Sequence, residues 1–175
     1  VHDGQLTKRE VRAATLAALT PAPDQLLWDV GAGCGSVAIE WMRSTRGCEA
    51  LAFEHNEDRL KMIAANVDQL GTPRLKIIAG EVPDTLRGKP RPDAVFIGGG
   101  VGIPGVFETA WEHLKPGGRM VANVVTIEGE MHLYDLQEKH GGDLVRLEIS
   151  HLTPIGPYRA LKPRMAVTQW RAIKP

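Results

Sequence analysis

The chain has 175 residues, 43% of them hydrophobic, and its 21 Lys plus Arg are matched by 21 Asp plus Glu. That length suits one domain with a core of its own, and the zero formal charge excludes a general attraction to nucleic acid or to an anionic membrane. Cys34 and Cys48 follow neither metal-ligand nor disulfide spacing, and nothing reads as a signal peptide or membrane span, so a reducing cytoplasm is the expected setting.

Thr7 and Glu10 have the T-x-x-E spacing of a capping box, ahead of a helical face of Val11, Ala14, Thr15, Ala18 and Leu19; the helix stops before Pro21. QLLWDV (25–30) is an apolar run that predicts a buried strand entering a glycine loop, and GSVAIEWMRS (35–44) predicts a helix. The alternation repeats. EALAFE (49–54) is a strand ending at Glu54, and residues 56–71 form a helix with Leu60, Ile63, Val67 and Leu70 in line, closed by Gly71. RLKIIAG (74–80) and PDAVFIG (92–98) are the third and fourth strands, followed by a helix around Val106, Ala110, Trp111 and Leu114. RMVANVVTI (119–127) is the fifth strand, and a helix over 129–140 runs into Gly141–Gly142. DLVRLEIS (143–150) and RMAVTQWRAI (164–173) read as two terminal strands joined by a Pro-rich loop from Leu152 to Pro163. Strands alternating with helices imply right-handed crossovers, so the expectation is one doubly wound α/β domain over residues 1–175, with a mostly parallel sheet and an antiparallel pair at its edge.

In such sheets ligands sit at the carboxyl ends of the strands, where the first loop reads DVGAGCGS. A dinucleotide fingerprint, G-x-G-x-x-G, would place its third glycine at the position of Ser36; the glycines fall instead at Gly31, Gly33 and Gly35, behind Asp29. That D-x-G-x-G-x-G resembles the first motif of the S-adenosylmethionine-dependent methyltransferases of the seven-strand type. The resemblance implies the Rossmann-like class I methyltransferase fold, with a seven-stranded sheet. Bare backbone at Gly31, Ala32, Gly33, Cys34 and Gly35 lets a ligand lie across the loop, and the helix start favours its carboxylate. Asp29 is the candidate acceptor for the cofactor's ammonium, directly or through water. Glu54 is the candidate for the ribose hydroxyls, with His55 beside it in the cofactor site and given no catalytic role. Gly80, Glu81 and Val82 lie where the resemblance places the adenine, and Gly98 ends the fourth strand beside the methyl group.

The fourth strand runs into FIGGGVG and lacks the N/D-P-P-Y of amine methyltransferases, which leaves open space for a large flat substrate. HDGQLTKREVRA, DVGAGCGSVAIEW, FIGGG and LKPGGRMVANVVTIE together resemble the decarboxylating precorrin methyltransferases of corrin (cobalamin) biosynthesis, from about His2 to Thr126 and more weakly beyond Glu128. The resemblance implies methylation of a precorrin-6-type ring at carbon 15 with loss of the carbon-12 acetate carboxylate, a homo-oligomer (a tetramer), and Gln5, Leu6 and Thr7 closing over S-adenosylmethionine. In some members this domain follows an unrelated carbon-5 methylase. Val1 in place of Met fits a piece of such a fusion.

A ring bearing many carboxylates calls for Arg and Lys. Candidates are Lys8, Arg9 and Arg12 on the first helix and Arg159, Lys162 and Arg164 in the late loop, with Tyr158 beside them and Asn123 in the fifth strand; the first reading of each Lys and Arg is a solvated surface charge, and Asn123 reads equally as an interior ladder residue. Transfer from a sulfonium needs alignment more than a base, so no metal, cysteine nucleophile or catalytic triad is expected. Two alternatives stay open: another methyltransferase on this scaffold, acting on isoaspartyl protein or tRNA adenine, and a nicotinamide-binding domain without chemistry.

Overall fold

The computed structural model describes residues 8–175. Helix α1 (Arg9–Leu19) leads into β1 (Leu26–Val30), α2 (Ser36–Ser44), β2 (Glu49–Glu54), α3 (Glu57–Leu70) and β3 (Lys76–Ala79). A single 3-10 turn (Asp84–Leu86) precedes β4 (Ala94–Ile97), α4 (Val106–His113), β5 (Arg119–Val124), α5 (Ile127–His140) and β6 (Asp143–Leu147). The chain ends in β7 (Ser150–Ile155), β8 (Tyr158–Pro163) and β9 (Val167–Ile173). The main sheet has seven strands in the order β3-β2-β1-β4-β5-β9-β6, parallel except that β9 runs antiparallel to both β5 and β6. The strand order reverses between β1 and β4, which is where such sheets open a crevice at their carboxyl ends.

Period-two alternation sends each strand's side chains to opposite layers. Leu27, Ala50, Ala52, Ala94 and Phe96 pack with Val37, Ile39, Trp41, Ile63 and Val67 under α1, α2 and α3. Trp28, Val30, Leu51, Phe53, Val95 and Ile97 pack with Phe107, Ala110, Leu133 and Trp170 under α4 and α5. Because both faces are covered, β1, β2 and β4 read as continuous apolar runs. Helix ends follow local chemistry: the Asn56 side chain accepts from the Asp58 and Arg59 amides at the start of α3, and Gly71 at φ 71° closes it. Thr126 accepts from Gly129 N–H at the start of α5, which is why β5 stops at Val124 and does not reach the expected Ile127. No helix among the described residues is long and apolar enough to cross a membrane.

Two expectations are corrected. The first helix has Lys8 as its N-cap, without a side-chain capping bond, and Thr7 lies outside the described residues. The stretch expected as a Pro-rich loop is a β-hairpin, β7 paired antiparallel with β8 from Ser150↔Pro163 to Ile155↔Tyr158, forming a small second sheet. Proline argues against a central strand because it lacks an N–H. This ribbon has only edges, so Pro154 and Pro163 fit within it and Gly156, at φ 55°, turns it.

Candidate active site

The loop after β1 is built to be bare and fixed. Gly31, Gly33 and Gly35 have φ of 71°, 61° and 77°, left-handed conformations that other residues adopt at a cost. The Gly31 and Ala32 amides both donate to the Phe53 carbonyl at 3.0 Å, which straps the loop to β2. One step on, Glu54 is buried and acts as a second strap: its Oε2 accepts from Gly33 N–H at 2.9 Å, and its Oε1 accepts from the His55 and Asn56 amides at 3.0 Å each. Of the roughly four lone-pair positions of a carboxylate, three are taken, and the remaining one is on Oε2.

Asp29 is on the α2 side of β1, 1% exposed, with Oδ2 accepting from Ala38 N–H at 3.0 Å. Its Oδ1 has no hydrogen-bond partner among the described residues. Burial pushes the Asp29 carboxyl up to about 7; the Ala38 amide works against this shift and the charge of Glu54 adds to it. A buried, unpartnered carboxylate oxygen beside a bare loop is what a ligand ammonium would satisfy. Asp29 does not line the cleft itself.

Two cavities open at the strand ends. The smaller, about 310 Å³, is lined by Gly31, Ala32, Gly33, Cys34, Glu54, His55, Glu81, Val82 and Gly98 among the expected cofactor residues. Gly35 and Gly80 do not line it. Ser36, Val37, Arg59, Phe96, Gly99, Gly100 and Ile103 also line it, and sequence reasoning did not assign them. The larger cavity, about 930 Å³, shares Phe96, Gly98, Gly99, Gly100 and Ile103 with the first. Its remaining walls are largely apolar, from Val11, Val101, Val124, Val125, Ile149, Met165 and Val167, with Lys8, Glu128, His132 and Arg164 as charged or titratable groups.

The expected substrate residues divide. Arg164 and Asn123 line the large cavity, as does Lys8. Asn123 is held by both ends of its amide: Nδ2 donates to Thr15 Oγ1 at 2.9 Å, and Oδ1 accepts from Gln169 Nε2 at 2.8 Å. Arg12 lies elsewhere: its guanidinium is paired with Glu40 and lines neither cavity. Tyr158, Arg159 and Lys162 are carried by the hairpin, exposed and outside both cavities. Arg9 is exposed and paired with Glu10. Gln5, Leu6 and Thr7 lie outside the described residues. His132 was missed because α5 reads as a polar helix; only the packing of its N-terminal turns beside the β4 loop reveals that face.

The precorrin methyltransferase domain model matches residues 1–174. The chain belongs to the precorrin methyltransferase domain family. Curated relatives of this precorrin methyltransferase domain include the precorrin-6Y C(5,15)-methyltransferase [decarboxylating] of Sinorhizobium sp., 49% identical over 97% of this chain and 41% of the relative. The chain therefore spans about two-fifths of that relative's length. The cobalt-precorrin-6B C(15)-methyltransferase (decarboxylating) of Salmonella typhimurium is 35% identical over 93% of this chain and 85% of its own length. Among solved structures, the C-terminal domain of precorrin-6Y C5,15-methyltransferase from Rhodobacter capsulatus superimposes with a TM-score of 0.92 at 43% identity, covering 99% of this chain and 93% of that one.

Proposed function

We propose that this domain uses S-adenosylmethionine to methylate a precorrin-6-type tetrapyrrole at carbon 15 and releases the carbon-12 acetate carboxylate as carbon dioxide, in corrin biosynthesis. The observation that carries the reading is the shared wall of Phe96, Gly98, Gly99 and Gly100. It borders both a cleft of about 310 Å³ and a cavity of about 930 Å³, the second at the upper end of the range for small-molecule sites. The names of the Sinorhizobium and Salmonella relatives support the same assignment.

Bound S-adenosylmethionine supplies a methyl group already activated on a sulfonium. The remaining lone pair of Glu54 accepts from a ribose hydroxyl, Asp29 faces the ammonium through water, and Glu81 and Val82 border the adenine, with His55 at the rim. Arg164 and Lys8 meet ring carboxylates with charge-assisted bonds, while the valines of the large cavity hold the ring dry and in line. As carbon dioxide leaves, the electron pair of the broken carbon–carbon bond stays in the conjugated ring, so no base is asked of the chain. Cys34 and Cys48, both buried free thiols, support a reducing cytoplasm.

The same reading makes the protein a homo-oligomer, a tetramer. Leu152, Ile155, Tyr158 and Leu161 stand 60–77% exposed on a two-stranded ribbon, and such a ribbon is marginal in water without further cover. Light scattering is expected to give a multiple of the 19.1 kDa chain mass; a monomer at assay concentration would remove this part. A carbon-5 methylase, where one accompanies this domain, belongs to a longer chain, as the 41% coverage of the C(5,15) relative supports.

The deciding experiment is mass spectrometry of a precorrin-6-type tetrapyrrole after incubation with the protein and S-adenosylmethionine. Gain of a methyl with loss of carbon dioxide is expected. Gain of a methyl alone would move decarboxylation elsewhere, and no change with S-adenosylhomocysteine binding intact would discard the corrin substrate.

A further inference from the structure

The four glycines after β4 are not equivalent. A Cβ on Gly98 would stand 2.9 Å from the Phe96 ring and 3.3 Å from the Gly31 carbonyl oxygen. Gly100 has φ 82° and would meet Ile103 at 2.9 Å, and Gly102 would meet His132 Nε2 at 2.7 Å. Gly102 thus faces the tip of the His132 ring, while Gly98 and Gly100 have a reason within the fold to lack a side chain. Gly99 has none: its φ is outside the left-handed region, and a Cβ there meets no atom within 4 Å.

Its backbone is nonetheless fixed. A Cβ on Gly31 would lie 3.0 Å from Gly99 O and 3.1 Å from Gly99 N, so the two glycine segments abut, and Gly31 must be bare for them to do so. Gly99 lines both cavities, together with Phe96, Gly98, Gly100 and Ile103. The chain itself would accept a side chain at this position. The space that such a side chain would occupy is open, on a residue common to the cofactor cleft and the ring cavity.

Resting on the methyltransferase reading above, we propose that Gly99 sets the closest approach of the ring to the methyl donor and so acts as a specificity-determining residue. Methyl transfer requires reacting atoms about 3–3.5 Å apart. Packed carbons settle about 3.5–4.0 Å apart, so even one added methyl on Gly99 holds a ring face back from the donor. A bare position here admits a flat, broad substrate; a side chain would keep the cleft able to bind cofactor but deny the ring its reactive distance.

The test compares Gly99→Ala and Gly99→Val with the wild-type protein in thermal melting, S-adenosylhomocysteine calorimetry, and methyl transfer to a precorrin-6-type tetrapyrrole. The expected result is a melting temperature and a cofactor affinity close to wild type in both variants. Transfer should fall by about tenfold in Gly99→Ala, mainly in kcat, and by about 100-fold or more in kcat/KM in Gly99→Val. Full transfer by Gly99→Val would overturn the proposal, as would loss of its fold. A drop in cofactor affinity that accounts for the loss of transfer would also overturn it, since Gly99 would then face the cofactor alone. If the wild-type protein binds S-adenosylhomocysteine but transfers nothing, the functional reading itself fails, and the proposal fails with it.

Discussion

Replacing Glu54 with Gln is expected to weaken S-adenosylhomocysteine binding by about 10- to 100-fold, equivalent to about 1–3 kcal/mol. The carboxylate accepts from three backbone amides, of Gly33, His55 and Asn56. A Gln amide has one acceptor oxygen and one donor nitrogen. If its oxygen serves His55 and Asn56, its NH₂ must face the Gly33 N–H, donor against donor, in a site only 3% exposed. The loop that should carry the cofactor is then pushed off its strap at the point where the remaining Oε2 lone pair would meet the ribose. The same conflict lowers the stability of the ligand-free protein by about 1–3 kcal/mol, a drop of several degrees in melting temperature. Calorimetry and melting separate the two roles. Reduced stability with unchanged affinity would leave Glu54 as a brace only and place the ribose elsewhere.

S-adenosylhomocysteine binding should also release a proton below about pH 7, and Asp29→Asn should abolish that release. The folded protein holds the Asp29 carboxyl near 7, against an ordinary value of 3.8, mainly because the group is buried. A folded-state value above the unfolded one means that this group's contribution to stability is present below about pH 4. That contribution is lost as pH rises through about 7, where the ionised form persists in a dry site. A cofactor ammonium near Oδ1 favours the charged carboxylate, so binding expels the proton, and affinity should fall by up to about tenfold for each pH unit below 7. Asparagine cannot ionise; it should bind about 10- to 100-fold more weakly at pH 8 and show a flatter pH profile. Calorimetry at pH 6 in buffers of different ionisation enthalpy counts the proton directly. A wild-type value of zero would mean that the ammonium does not sense Asp29.

Much of this site is legible from residue order, because it lies where strands end. The spacing of Gly31, Gly33 and Gly35, the acid at Glu54 and the glycines after Phe96 all sit at β-strand termini, and those termini are fixed by apolar runs that only a doubly covered sheet explains. What escaped depends on orientation. Arg12 and Lys8 are on one short segment, yet Arg12 turns to Glu40 while Lys8 reaches the large cavity. Nothing in their spacing separates them, since the choice belongs to the packing of α1 on α2. Tyr158 and Arg159 belong to a segment whose prolines read as a loop; paired as a ribbon, it holds them outside both cavities. His132 needed the angle of α5 against the β4 loop, which no local pattern encodes.

The four tryptophans are divided unequally between the two faces of the sheet. Trp28, Trp111 and Trp170 pack on the α4–α5 side, with Trp111 6.2 Å from Trp170, while Trp41 alone lies on the α1–α3 side. The indole N–H groups of Trp28, Trp41 and Trp170 each donate to a backbone carbonyl, and none of the four rings lines either cavity. Intrinsic fluorescence is therefore a gauge of layer integrity, with little direct response to an occupant of the cleft. A version of the chain keeping only Trp41 would light one half of the molecule, and its unfolding trace set against that of the other three would tell whether the two layers melt as one.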